Sequence, residues 1–122
     1  MPKKYERITN IDKIAIIRLL KKIAREKRVN IWAYVAEILE KPRSATPQVN
    51  LSKISRYSKE NEIVVVPGKV LGTGSLEHKL TIAAFSFSES AKTKIEKSGG
   101  RYITIRDLIK ENPTGSGVKI IV

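Results

Sequence analysis

The chain has no cysteine, one histidine, one tryptophan, one methionine and two phenylalanines among 122 residues. The missing cysteines rule out disulfides and thiolate-held metals, and a lone His78 cannot build a histidine metal cluster. That histidine, between charged neighbours in a turn, is expected to be an exposed loop residue. With no cysteine and one histidine, the main nucleophilic arrangements left are Ser–Lys or Thr–Lys types, which nothing beyond common residue types supports. No apolar run approaches the roughly 18 residues of a membrane span. The opening MPKKYERITN carries basic residues but no apolar segment of a secretory signal, so a cytosolic protein is expected. Acids are scarce, at 12 against 24 lysines and arginines. They stand singly beside basic residues, so no carboxylate pair for general acid–base work is indicated. Neither enzyme chemistry, cofactor, metal nor small-molecule substrate is expected.

What the chain has is positive charge, a net +12 on a single domain-sized length. Such an imbalance raises the concentration of polyanions around the protein. Nucleic acid and anionic membrane are the two candidates, and the pattern favours nucleic acid. The excess is uneven: residues 1–60 hold 15 basic and 6 acidic residues, residues 61–122 hold 9 and 6. The first half therefore carries most of the expected polyanion-facing surface.

Residues 1–41 read as a basic helical part. Lys3, Lys4 and Arg7 form a short basic lead. Thr9 and Asp12 have capping-box spacing, which predicts a helix from near Ile11. Ile14, Ile17, Leu20, Ile23 and Ala24 make its buried stripe, and Arg18, Lys21, Lys22, Arg25 and Arg28 recur at three- and four-residue steps elsewhere on it. Like charges at that spacing repel by a few tenths of a kcal/mol per pair, and only Glu26 is interleaved among them, so this row wants an external anion. Asn30 is expected to cap a second helix with Trp32, Val35, Ala36 and Leu39 inward, ended by Lys41-Pro42. Trp32 reads as core.

Residues 42–60 change character. KPRSATPQVNLSKISRYSK contains Lys41, Arg43, Lys53, Arg56 and Lys59 and no acid, with two prolines and several small polar residues. An extended basic loop that clasps RNA is predicted, with Val49, Leu51 and Ile54 pinning part of it to the body.

From residue 61 a β-β-α core is predicted. Ile63-Val64-Val65-Val66 is a buried strand broken by Pro67-Gly68, and Lys69-Val70-Leu71 resumes briefly. Gly72-Thr73-Gly74-Ser75 then turns the chain. In Leu80–Phe87, Thr81, Ala83, Phe85 and Phe87 share one face. Ser88 caps a helix with Ala91 and Ile95 inward, ending at Gly99-Gly100. Short elements follow: a strand at 102–104, a helix at 105–110, the turn NPTGSG and a strand at 118–122. Lys69 and Lys79, at the turns, complete the candidate RNA-binding set. GKVLGTG lacks the G-K-[ST] ending of a phosphate loop and is followed by a strand.

PGKVLGTGSLEHKLTIAAFSFSESAKTKIEKSGG, followed by ITIRDLIKENPTGSGVKIIV, resembles the archaeal form of the large-subunit ribosomal protein eighteen-e family, relatives of bacterial large-subunit ribosomal protein fifteen. The G-x-x-L-G-x-G punctuation, the FS-S-A corner, the GG and the terminal NP-G-GV-I carry the resemblance, and RSATPQVNLSKISR fits the family's basic connecting loop. It implies an α/β fold, with basic N-terminal helices and an extended loop ahead of an irregular stack of β-β-α units. It further implies a structural protein of the ribosome bound to ribosomal RNA beside neighbouring ribosomal proteins. The main rival is a chromatin-type DNA-binding protein, which would need a groove-reading helix rich in Asn, Gln and Arg, and neither N-terminal helix has that mixture.

Overall fold

The computed structural model describes the backbone of residues 2–42 and 46–122 and side chains from Lys13 onward. In chain order the elements are α1 (Pro2–Lys27), α2 (Asn30–Leu39), β1 (Gln48–Asn50), α3 (Leu51–Tyr57), β2 (Ile63–Leu71), β3 (Thr81–Phe87), α4 (Glu89–Lys97), β4 (Arg101–Thr104), α5 (Ile105–Glu111) and β5 (Val118–Ile120).

The α/β class is as expected, and the strands form one five-stranded sheet in which every pairing is parallel. β2 is its spine. β3 runs along one edge of β2, with β4 beyond it. Along the other edge β5 pairs with Ile63–Val65 and β1 with Lys69–Leu71, so these two short strands lie end to end. Helices cover both faces, which is why β2 reads as an unbroken valine run rather than an alternating one. Val64, Val66, Ile82 and Ala84 pack with Leu51 and Ile54 of α3 and with Ala91 and Ile95 of α4. Val65 and Ala83 pack on the opposite side with Leu20 of α1, with Trp32, Val35, Ala36 and Leu39 of α2, and with Ile105, Leu108 and Ile109 of α5.

Several local expectations change. Pro67-Gly68 does not break the strand: β2 continues to Leu71, and the irregularity appears as a register shift between Val66 and Lys69. A bulge accommodates a proline that cannot donate to the ladder. Segment 42–60 is not simply an extended loop. Val49 enters the sheet, and the Asn50 side chain accepts the Lys53 amide at 3.0 Å, capping α3. Leu51 and Ile54, three apart, are fully buried, so the anchoring residues noted in the sequence form a helix stripe. Phe87 closes on Tyr102, ring centroids 5.3 Å apart, and packs with the α3/α4 side rather than with Ala83 and Phe85. As the last residue of β3 it turns with the chain into α4.

The first helix begins at Pro2, not near Ile11, so Thr9 and Asp12 lie inside it rather than at its cap. Ile14 is 49% exposed instead of buried. Asn30 is the first residue of α2, and the cap position, Val29, makes no side-chain bond. The two helices are joined through Arg28 in a left-handed conformation (φ 55°), with the Val29 amide donating to the Ala24 carbonyl at 3.1 Å. This closure of a helix end favours glycine at the left-handed position. Arg28→Gly is expected to raise stability by about 0.5–1 kcal/mol in chemical denaturation, because it relieves a side chain held at positive φ.

The helix after β3 behaves as read from the sequence. Ser88 accepts the Ala91 amide at 3.2 Å, Ala91 and Ile95 are fully buried, and Gly99 closes the helix at φ 86°. Thr104 caps α5 in the same way. Trp32 is core, and its indole N–H also donates to the Pro113 carbonyl at 2.7 Å, tying the 112–117 turn to α2. Gly115, at φ 69°, lies against Ile31 and Trp32.

Candidate nucleic-acid interface

A groove of about 940 Å³ opens between α1, the end of α2 and the C-terminal ends of β2 and β3. Its apolar lining comes from Ile14, Ile17, Leu39, Pro42 and Phe85, and its cations from Lys13, Arg18, Lys21, Lys41 and Lys69. Helical geometry explains the α1 contribution. Lys13, Ile17 and Lys21 fall at four-residue steps, and Ile14 and Arg18 repeat the step one residue on, so one face presents mixed apolar and basic side chains. The sheet supplies Lys69 just past the bulge, exposed between buried Gly68 and Val70. Glu40 is the carboxylate in this lining, and it pairs with Lys21 at 3.0 Å. That pair is about half exposed and contributes little to stability. Lys13 Nζ donates to the Lys41 carbonyl at 3.4 Å.

The structure divides the residues singled out from the sequence. Arg18, Lys21, Lys41 and Lys69 meet at the groove, and Lys13 joins them. The signal for Lys13 was present, since it lies eight residues, about two helical turns, before Lys21. Lys22, Arg25 and Arg28 are exposed on α1 or at its end but do not line the groove. Lys53 and Arg56 stand on α3. Lys59 and Lys79 are exposed just ahead of β2 and β3, towards the ends of the strands opposite the groove. Arg43 and the side chains of Lys3, Lys4 and Arg7 lie outside the described residues.

Other cations are bonded to the protein's own acceptors. Lys94 of α4 donates to the carbonyls of Gly72 and Gly74, at 2.6 and 2.8 Å. Lys119 donates to the Tyr57 carbonyl at the end of α3 and lies 3.5 Å from Glu62. The Lys59 amide, and after it Lys119, hold the Glu62 carboxyl below its ordinary pKa. Arg101 pairs with Glu111, which raises the guanidinium pKa. Lys53, expected to face RNA, donates to the Val122 carbonyl at 2.5 Å. A contrast follows. Lys53→Glu should lower stability by about 1 kcal/mol through loss of that bond, whereas Arg56→Glu on the same helix should change it by no more than about 0.5 kcal/mol. Thermal unfolding of the two variants checks this.

His78 is half-buried, not an exposed loop side chain: its Nε2 is 2.9 Å from Ser58 Oγ. The Ser58 hydroxyl donates its one proton to the Ile54 carbonyl at 2.5 Å. Nε2 must therefore be the donor to Ser58, and this histidine cannot act as a base toward that serine. The contact locks the 75–79 turn onto α3. Among the described residues no cluster of His, Cys, Asp or Glu could hold a metal ion, and no helix is long and apolar enough to cross a membrane.

These features define a layered α/β protein with a cation-rimmed groove, its lone histidine held in a contact within the protein. The sequence places it more narrowly. The family model for ribosomal protein 60S L18 and 50S L18e matches residues 2–122, and the chain belongs to that family. It is 47% identical over 116 residues to large ribosomal subunit protein eL18 of Archaeoglobus fulgidus, covering 95% of this chain and 99% of the relative. The eL18 proteins of Methanococcus maripaludis (49% over 113 residues, 93% and 94% covered) and Halobacterium salinarum (47% over 107 residues, 88% and 92% covered) are similarly close.

Proposed function

We propose that this protein is a structural constituent of the large ribosomal subunit, without catalysis of its own. It binds ribosomal RNA through lysine and arginine contacts to phosphates, in the cytoplasm and beside other ribosomal proteins. The observation that carries this reading is the convergence of exposed Arg18, Lys41 and Lys69 from three separate parts of the chain on one groove. Like charges gathered on a rigid body repel one another unless an external polyanion neutralises them. The extent of the match to large-subunit relatives supports ribosomal RNA as that polyanion. Folded RNA presents phosphates in a fixed geometry, so a rigid sheet with fixed cations recognises shape more than sequence.

The remaining candidates add to that footprint. Lys22, Arg25 and Arg28 extend it along α1, with Lys3, Lys4 and Arg7 at the start of the same helix. Arg43, one residue after Pro42 in sequence, is a further candidate. Arg56, with Lys59 and Lys79, forms a second contact surface around α3, which lets one protein hold two RNA elements; Lys53 stands beside them with its ammonium on the Val122 carbonyl. Sedimentation of the native chain with large subunits tests the assignment. It is expected to remain with the subunit through washes at moderate salt and to be released as salt rises. Failure to sediment with the subunit even at low salt would remove the reading.

A further inference from the structure

Phosphate contact alone does not call for the apolar floor of the groove. We propose that the groove seats the base of one unpaired nucleotide, with the neighbouring phosphates held at its rim; this deepens the RNA-binding reading and rests on it. Ile14 stays 49% exposed in the middle of a basic helix face, although it lies on the stripe that buries Leu20. With Ile17 and Phe85 it makes an apolar surface beside Arg18, Lys41 and Lys69. An intact duplex offers this surface only sugar and phosphate, whereas an unstacked base offers a π face to bury and brings its own anions.

A second observation points the same way. Gln48 is the register partner of Lys69, and Lys69 of Ser86, so these residues form a polar row across β1, β2 and β3 along the groove. An amide with both donor and acceptor, an ammonium and a hydroxyl supply the complement of a base edge. Charge selects the occupant. A neutral peptide laid on the floor would cover Arg18, Lys41 and Lys69 without compensating them, while a nucleotide with its flanking phosphates compensates each. The volume of about 940 Å³ leaves room for a base together with its sugar and phosphates.

The test compares binding of the full chain, by fluorescence anisotropy at one salt concentration, to a short oligoadenylate and to the same strand with its central nucleotides made abasic. The native chain is expected to bind the base-bearing strand about tenfold more tightly. Ile14→Asn, at a half-exposed position that should tolerate the change, is expected to bring the ratio close to one. Equal binding of both strands by the native chain would overturn the base seat while leaving phosphate binding intact, and would give the floor to a protein segment instead. A preference that survives Ile14→Asn would also overturn it. Binding of neither strand, even at low salt, would count against the RNA-binding reading itself.

Discussion

Replacing Gly72 and Gly74 together by valine is expected to cost about 4 kcal/mol, a large share of the roughly 5–15 kcal/mol that stabilises a domain. The two glycines contribute for different reasons. Gly74 has φ 85°, where a β-branched residue is strained by about 1–3 kcal/mol, and a Cβ there would lie 2.5 Å from Ser52 Cβ. Gly72 has no such dihedral. A Cβ at that position would overlap the Ser90 hydroxyl and come within 2.8 Å of the Ala91 amide nitrogen, at the capped start of α4. Ser90 can rotate away but the helix backbone cannot, so part of the strain must be taken up by moving the turn. Lys94 resists that movement, because it grips both glycine carbonyls. Gly117→Ala is the control. Gly117 has φ 75° but nothing within 4 Å of an added Cβ, so only the dihedral strain of about 1 kcal/mol is expected. Denaturation of the free protein measures both variants. An unchanged midpoint and slope for the double valine variant, with impaired RNA binding, would mean the glycines serve only to admit an RNA strand.

The second large effect is on binding. Arg18→Glu combined with Lys69→Glu should weaken affinity for a large-subunit RNA fragment on the order of 100-fold at physiological salt. It should also reduce the salt-dependence slope by about two, one for each phosphate left without its cation. Both side chains are exposed, so stability should move by no more than about 0.5 kcal/mol per site. The choice matters: Lys94 and Lys119 carry the same charge but are fixed on the protein's own carbonyls. Replacing those should damage the fold before it damages binding. Loss of affinity through Lys94 rather than through Arg18 and Lys69 would place the interface elsewhere.

Much of the fold was legible because the local signals are strong. A buried β-branched run, a serine cap followed by Ala91 and Ile95, and a double glycine leave little freedom to the chain around them. The α3 segment was harder. Its prolines and small polar residues lie ahead of a seven-residue helix whose stability comes from Leu51 and Ile54 meeting the sheet, a tertiary effect that propensity does not contain. Pro67 misled for a related reason, since a strand break and a strand bulge share one sequence signal. The site was legible in composition but not in grouping. Counting cations could not separate Lys69, which faces the groove, from Lys53, whose ammonium is held by the Val122 carbonyl, because the partners lie far apart in sequence. Ile14 illustrates the same limit: its spacing fits a buried stripe, yet it stands half exposed at the groove.

The most direct test of the central claim is the affinity of the native chain for a large-subunit ribosomal RNA fragment, measured across a range of salt concentrations. If the exposed cations of α1, the groove and α3 each neutralise a phosphate, the logarithm of the binding constant should fall linearly with the logarithm of salt. The slope should have a magnitude of about 5 or more, at roughly 0.7–0.9 for each phosphate neutralised. A slope near zero, with binding retained at high salt, would contradict the account.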